Sequence, residues 1–266
     1  MRLETLISCM HQQDASIATT SNVRSDAVII SQCDREESTE CVLTDASGNT
    51  HQIKLISTKE RGLSRSRNMA IANATADICL IADDDEVFED DAAENIVKAF
   101  ERHPEADLIT FDIKGSHSTK TRLTHEAGRI GYLGALHISS IQITFRRKRI
   151  IEKGICFDPE MGSGTGHGCG EETKFLFDCL KKKLTIIHVP IPIASLSATV
   201  DSQWFQGWTP RFFLERGWAT ARYLGKPVAT VYACYYAIVK RSKFKTDISA
   251  GKALKNMLKG IYSKTI

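Results

Sequence analysis

The amino-acid sequence predicts an α/β fold in which a mostly parallel, Rossmann-like sheet is flanked by helices and followed by a helical C-terminal extension. Short apolar runs of strand length alternate with stretches whose apolar residues recur at helical spacing, which is typical of chains built from strand–helix–strand units. The 266 residues, of which 42% are hydrophobic and 25% charged, are enough for one large soluble domain. The pattern predicts strands at residues 3–10, 27–31, 52–56, 78–82 and 108–113, and helices at 64–74, capped by Ser64, and 91–103.

The pattern changes in the middle of the chain and again near residue 200. The middle part contains an alternating strand, a glycine-rich loop, a helix and a further strand, at residues 139–145, 162–170, 171–181 and 184–189. From Trp204 on the chain has a helical pattern. We therefore expect residues 1–113 and 114–200 to be two halves of one domain, and residues 201–266 to be a helical, basic extension.

Positive charge is concentrated at the end of the chain. The net charge of +3 is too small to indicate a nucleic-acid partner, but from Lys240 on eight lysines and arginines face a single aspartate. Leu254, Met257 and Ile261 lie at helical spacing among these lysines. A basic amphipathic helix is typical of peripheral contact with an anionic membrane, whereas a helix packed on the domain explains the pattern equally well.

The cysteines and the N-terminus predict a cytoplasmic protein. The eight cysteines include no C-x-x-C pair, so a zinc ribbon or a thioredoxin-like site is not indicated, and several lie in apolar runs, as reduced core cysteines do. The first residues have no signal-peptide pattern. The longest nearly uncharged apolar stretch, residues 227–239, is shorter than the ~20 residues that a membrane span needs.

Three adjacent aspartates, Asp83, Asp84 and Asp85, follow the apolar strand at residues 78–82. Clustered carboxylates repel one another unless a cation neutralises them. Mg²⁺ and Mn²⁺ prefer oxygen ligands and often bridge one or two carboxylates to substrate phosphates. Because the cluster lies at the end of a strand, where parallel sheets bind ligands, we interpret Asp83 and Asp85 as metal ligands rather than as a solvated acidic turn.

The glycine-rich loop at residues 162–170 leads directly to Glu171 and Glu172 at the start of a helix. The loop matches neither dinucleotide-binding nor P-loop spacing. A carboxylate held at the end of such a loop can act as a general base, although both glutamates could instead only stabilise the helix dipole.

A third motif, residues 61–68, contains Arg61, Arg65, Arg67 and Asn68 near a helix start. Arginines at that place can bind a diphosphate. Since residues two apart on a helix point to different sides, at least one of Arg65 and Arg67 is expected at the surface.

Taken together, these motifs make the chain resemble the family-2 inverting glycosyltransferases of GT-A fold, from about residue 3 to residue 189. Residues 62–68 (GLSRSRN) resemble the family's G-x-s-x-a-R-N helix. Residues 81–85 (IADDD) resemble its L-D-x-D-D strand end, and residues 170–175 (GEETKF) resemble its G-E-D-x-x-F block. Each motif is weak alone, but their order and spacing are specific.

The resemblance implies single displacement with inversion of a sugar from a nucleoside-diphosphate donor, with UDP the expected nucleotide. Glu172, assisted by Glu171, would be the catalytic base. Asp83 and Asp85 would bind Mn²⁺ or Mg²⁺, and Asp34, at the end of the second strand, would contact the nucleotide base. The acceptor would be a glycan or a lipid-linked molecule, in the synthesis of a surface polysaccharide or lipopolysaccharide on the inner face of the cell membrane.

The sequence departs from the family pattern at several positions and leaves alternatives open. The usual D-x-S-x-D is Gln32 to Glu36 here, the usual base aspartate is Glu172, and no histidine follows the later strand near Ser195 as a third metal ligand. A sugar nucleotidyltransferase and a non-catalytic binding module of an assembly complex remain as alternatives. The aromatic residues at 204–213 could form an acceptor platform, a dimer face or core, of which core is expected.

Overall fold

The computed structural model describes residues 1–114, 126–196 and 207–263, and these form a ten-stranded sheet with helices on both faces. The strands are β1 (Leu3–Met10), β2 (Asp26–Gln32), β3 (Glu37–Thr44), β4 (Thr50–Thr58), β5 (Ile78–Ala82), β6 (Glu86–Phe88), β7 (Leu108–Lys114), β8 (Gly128–Arg129), β9 (Ile143–Arg146) and β10 (Ile186–Leu196). The helices are α1 (Ser16–Thr20), α2 (Leu63–Asn73), α3 (Ala92–Arg102), α4 (Tyr132–Ala135), α5 (Arg147–Glu152), α6 (Glu171–Lys181), α7 (Pro210–Leu224), α8 (Lys226–Val239) and α9 (Ala250–Tyr262).

The centre of the sheet is parallel and buried, as the sequence predicts. β1 pairs in parallel with β2 and β5, and β2 pairs in parallel with β4. β5 is buried along its whole length, so it needs apolar side chains on both faces, which is why an uninterrupted apolar run marks it. The carboxyl ends of these four strands lie along one border of the sheet, called the carboxyl edge below.

Several strands differ from the expectation: β3, β6 and β8 are not predicted, and β10 extends beyond the predicted residues 184–189. β3 is the outermost strand of the sheet and pairs antiparallel with β4. It is almost entirely exposed, so no alternation of apolar and polar residues marks it in the sequence. The predicted strand at residues 139–145 is shortened, because Ser140–Gln142 form a 3-10 turn before β9. The Gln142 side chain stabilises this turn by accepting the backbone N–H of Ser139 (2.9 Å) and donating to the carbonyl of Phe111 (2.6 Å).

The helices cover both faces of the sheet. α3 packs on one face through Ile96 and Phe100, whereas α2 and α6 pack on the other through Ile71 and Phe175. The start of α2 differs from the expectation: Gly62 is its cap, and the Ser64 hydroxyl instead donates to the carbonyl of Met161 (2.7 Å).

The helical extension has its own core, built around Phe213, Phe244 and Met257. α7 and α9 cross at Gly217 and Gly260, where a Cβ would lie only 2.1 and 2.0 Å from a backbone oxygen of the facing helix. This contact requires a side chain of one hydrogen atom. Trp208, Phe212 and Phe213 belong to the same core, which supports the core interpretation of the aromatic residues, while Trp204 and Phe205 lie outside the described residues.

The basic tail helix is packed on the domain. The apolar side of α9 is covered, with Met257 and Ile261 buried and Leu254 and Leu258 partly buried in the core of the extension. Of the two interpretations of this helix, the structure therefore favours packing over membrane contact. Across the described ranges, no helix has the length and apolar character that crossing a membrane requires.

Candidate active site

The carboxyl edge gathers the motifs predicted from the sequence. Asp34 follows β2, Asp83 follows β5, and α2 begins shortly after β4. Because the four central strands are parallel, the segments that follow them all lie at the carboxyl edge. The start of α6 reaches the same place, since Glu171 contacts Arg67 of α2.

Arg67 joins the two acidic motifs. Its side chain is fully buried, and one terminal nitrogen donates to Glu171 Oε1 (3.0 Å) while the other donates to both oxygens of Asp83 (2.8 and 3.0 Å). The guanidinium also lies over the Phe157 ring, 5.4 Å from its centroid. A planar group with several donors suits this double task, so the strand end and the start of α6 are held together although 104 positions separate Arg67 from Glu171.

The turn after β5, residues 83–86, is called the acidic turn below. It holds four carboxyl groups close together. Ser140 Oγ donates to Asp83 (3.3 Å), and the buried Glu86 accepts the backbone N–H of Asp83. Burial, followed by the charge of Asp83, holds the pKa of Glu86 well above its usual range. Burial and the neighbouring carboxylates also raise the pKa values of Asp84 and Asp85. The turn therefore concentrates more carboxyl groups than Arg67 neutralises.

Glu171 and Glu172 form the first turn of α6, and the glycine-rich loop places them. The loop lies against the start of α2: Leu63 N–H donates to the carbonyl of Ser163 (2.9 Å). At Gly162 the backbone has a φ of +95°, and a Cβ there would lie 3.5 Å from the Glu171 carboxyl carbon. Glycine thus lets the loop turn tightly beside the two carboxylates.

The carboxyl group of Glu172 can change its protonation near neutral pH. Burial, reinforced by the neighbouring Glu171 carboxylate, raises the pKa of Glu172 to about 8. The Oε2 atoms of Glu171 and Glu172 are both buried, and neither has a hydrogen-bond partner among the described residues. A buried acceptor without a partner is costly, and a substrate hydroxyl is one group that could satisfy it.

Among the other predicted donor-binding residues, Arg61 contacts Asp34, whereas Arg65 lies at the surface. Arg61 donates to Asp34 Oδ1 (2.6 Å) and to the carbonyls of Cys33 and Lys59 (2.9 and 2.8 Å), and Asp34 is largely exposed. Arg65 is half-exposed, with Glu60 at 3.9 Å. Thus Arg65 is the surface arginine and Arg67 the buried one, in keeping with the expectation that both cannot face the same way.

Asn68 fastens the chain before the glycine-rich loop. Its amide nitrogen donates to the carbonyl of Phe157 and its oxygen accepts the N–H of the same residue, both at 2.8 Å. Both ends of the amide are therefore used in holding this segment on α2. The last two residues of the G-x-s-x-a-R-N motif therefore have different structural roles. Arg67 joins Asp83 to Glu171, and Asn68 holds the segment at Phe157 on α2.

The model of the glycosyl transferase family 2 matches residues 4–165 of the chain, more than half of its length. The chain belongs to glycosyltransferase family 2. A search of curated protein sequences gives no match.

Solved structures similar to this family-2 glycosyltransferase share its GT-A-like fold. The crystal structure of Staphylococcus aureus TarS residues 1–349 has a TM-score of 0.63 at 12% identity, covering 98% of this chain and 81% of that one. The same fragment in complex with UDP-GlcNAc has a TM-score of 0.66 at 12% identity, covering 97% and 80%. The mannosyltransferase PcManGT of Pyrobaculum calidifontis, in complex with GDP-Man and Mn²⁺, has a TM-score of 0.56 at 14% identity, covering 96% and 74%.

The acidic turn of the glycosyltransferase does not by itself form a complete metal site. No group of three or more His, Cys, Asp and Glu side chains within the described ranges is arranged to hold a metal ion. However, the oxygen donors and raised pKa values of the turn suit a divalent cation whose coordination is completed by phosphate oxygens. Asp83 already binds Arg67 through both oxygens, so Asp85 is the freer of the two predicted ligands.

Sequence reasoning missed a connection between the glycosyltransferase domain and its extension. His167 of the glycine-rich loop stacks on Trp218 of α7, with ring centroids 3.5 Å apart, and its Nδ1 lies 2.7 Å from Glu215 Oε2. Beside them lies a cavity of about 420 Å³ that Arg211 and Asn256 also line. No sequence signal links a loop histidine to a tryptophan on a distant helix, and the same holds for the contact of Ser140 with Asp83.

Proposed function

We propose that this glycosyltransferase moves a sugar, with inversion, from a nucleoside-diphosphate sugar to a hydroxyl group of a glycan or lipid-linked acceptor. The observation that carries the proposal is Arg67, which places the acidic turn and the start of α6 on either side of one guanidinium. A donor held at the turn would then lie next to a carboxylate that can accept a proton.

The donor side is supported by the carboxyl edge and by the similar structures. TarS was solved with UDP-GlcNAc and PcManGT with GDP-Man. In our proposal Asp34 contacts the nucleotide base, and Arg61 and Arg65 lie on the diphosphate side of the same edge. Arg67 and Asn68 act by holding this edge together. UDP is the nucleotide that we propose.

Asp83 and Asp85 are the residues that would hold Mn²⁺ or Mg²⁺, with Asp84 facing the donor. A divalent cation supplies charge stabilisation for the leaving diphosphate. The contribution of the chain is to keep Asp83 in place through Arg67 and Ser140. Burial, together with mutual repulsion, raises the pKa values of Asp84 and Asp85, and the cation would relieve the repulsion.

Glu172 is the proposed base. Its Oε2 takes the proton from the acceptor hydroxyl, whose oxygen forms a bond to the anomeric carbon while the bond from that carbon to the diphosphate oxygen breaks. A general base works best when its pKa lies near the working pH, and burial gives Glu172 such a pKa. Glu171, fixed by Arg67, positions it. We propose that the acceptor approaches through the cavity beside His167.

The family assignment favours glycosyl transfer over the nucleotidyltransferase and over the non-catalytic module. The proposed setting is the synthesis of a surface polysaccharide or lipopolysaccharide at the inner face of the cell membrane. Residues 1–113 would bind the donor, residues 114–200 would complete the catalytic site and bind the acceptor, and residues 201–266 would form the extension.

The test is a donor screen that measures released nucleoside diphosphate from UDP- and GDP-sugars, with Mn²⁺, with Mg²⁺ and with EDTA. We expect release from one donor, lost with EDTA and in Asp85→Ala, and retained in Asp91→Ala, which removes an exposed aspartate at the start of α3. Proton NMR of the product should show the opposite anomeric configuration to the donor. Undiminished release in EDTA would contradict the metal proposal, and a retained configuration would contradict inversion.

A further inference from the structure

The solvent-facing side of α8 is apolar along its whole length. Val231 and Ile238 are 69% and 74% exposed. A surface helix ordinarily presents charged or polar groups on this side. The exposed residues of α8 after Lys226 are Pro227, Val228, Val231, Cys234, Tyr235, Ile238 and Val239, and we call them the α8 stripe.

The opposite side of α8 is apolar as well, and it is already used. Ala229, Ala233 and Tyr236 are buried in the core of the extension. Tyr262 of α9, itself 56% exposed, lies beside α8, since its hydroxyl is 3.0 Å from that of Thr230. The stripe is therefore a second apolar face that the fold of the described residues does not cover.

Cations flank the α8 stripe at both ends. Lys226 opens the helix, and Lys240, Arg241, Lys243 and Lys245 follow its last turn. No acidic residue occurs from Lys226 to Thr246. Lys226 and Lys240 lie over the exposed aromatic rings of Tyr262 and Tyr235, at 6.0 and 5.8 Å from their centroids, so positive charge borders the apolar surface directly.

We propose that the α8 stripe docks this protein on an anionic lipid surface, with α8 lying in the plane of the interface. Apolar side chains would enter the acyl boundary while the flanking cations meet lipid phosphates, which is the arrangement of interfacial amphipathic helices. At 14 residues the helix is too short to cross the bilayer.

The charges favour lipid over a second copy of the chain. Because both ends of α8 are positive, parallel and antiparallel pairing of two such helices each bring like charges together. Anionic headgroups instead neutralise both ends. The inference also moves the membrane contact from α9, whose apolar side is buried, to α8. It depends on this surface and not on the transfer chemistry, so vesicle binding can fail while the donor screen succeeds, and the reverse.

The experiment is sedimentation of the full chain with vesicles of equal parts phosphatidylglycerol and phosphatidylcholine, and with pure phosphatidylcholine. The variant Val231→Gln/Ile238→Gln removes apolar surface without changing charge, and glutamine keeps the helix propensity high. Leu133→Gln is the matched control, because Leu133 is an exposed apolar residue (81%) on α4. Lys240→Gln/Lys243→Gln tests the cations, and circular dichroism confirms that each variant is folded.

We expect the wild type and Leu133→Gln to sediment with anionic vesicles only. The stripe variant should bind at least about tenfold more weakly, and each removed lysine should weaken binding about fivefold. Wild type that stays in the supernatant, or a control that loses binding as the stripe variant does, would overturn the proposal. Light scattering that shows a dimer, dissociated by the stripe variant, would replace the lipid by a second copy.

Discussion

The two acidic motifs of this glycosyltransferase share Arg67 but differ in environment. The turn after β5 is partly open, and its aspartates repel one another. The start of α6 is closed, with Glu171 buried against Arg67 and Glu172 carrying a raised pKa. The same chemical group thus lies in two environments, and we propose that the partly open carboxylates bind a cation whereas the more enclosed one holds or releases a proton.

Replacing the shared residue should have the largest effect. In Arg67→Met the buried Glu171 loses its charged partner, and breaking a buried pair from one side costs about 3–5 kcal/mol. We expect a free energy of unfolding lower by that amount in urea titrations, together with loss of activity. Arg65→Met, which removes a half-exposed arginine from the same helix, should change it by less than about 1 kcal/mol. An equal loss of unfolding free energy in the two variants would contradict the role of Arg67 as the buried partner of Glu171.

Removing the proposed base should separate chemistry from binding. In Glu172→Gln we expect turnover to fall by about 10²–10⁴-fold, the usual contribution of a positioned base. Donor affinity, measured by calorimetry, should be unchanged because Glu172 is not among the proposed donor-binding residues. Glu101→Gln changes an exposed glutamate on α3 and should leave turnover unchanged. A Glu172→Gln enzyme with near-normal turnover would exclude Glu172 as the base.

The pH dependence of turnover should report the closed motif. Because Glu172 must be ionised to accept a proton and its pKa is about 8, activity should rise about tenfold per pH unit below that value and level off above it. The measurement is kcat/KM from pH 5.5 to 9.5 at fixed ionic strength. A plateau reached already near pH 5 would mean that an ordinary carboxyl, not Glu172, controls the rate.

The last prediction concerns the pH dependence of the free energy of unfolding. The pKa of Glu172 is raised from 4.5 to about 8, so the unfolded chain releases this proton at lower pH than the folded one, and the stability it provides is lost as pH rises through that window. Glu172→Gln should therefore melt higher relative to wild type at pH 8 than at pH 4.5, by about 2–4 °C for each kcal/mol recovered. If the melting temperatures of Glu172→Gln and wild type differ by the same amount at both pH values, the pKa of Glu172 is not raised in the folded protein.

Local patterns were sufficient for much of the fold. β5, buried on both faces, is visible as an apolar run, and α6 was predicted with its bounds, because burial imposes a pattern on neighbouring residues. β3 was not predicted, since an exposed border strand carries no such pattern. The start of α2 was predicted at Ser64, because a serine side chain is a typical helix cap. The actual cap, Gly62, has no side chain that could form a capping hydrogen bond.

The sequence by itself determined the fold class and the family, and it predicted where the two acidic motifs lie, because each depends on residues that are close along the chain. Only the tertiary structure decided that Arg67 joins Asp83 to Glu171, that the apolar side of α9 is buried, and that α8 keeps an apolar face that no other described residue covers. These depend on which surfaces meet, and helical spacing shows that a helix has an apolar side without showing what covers it.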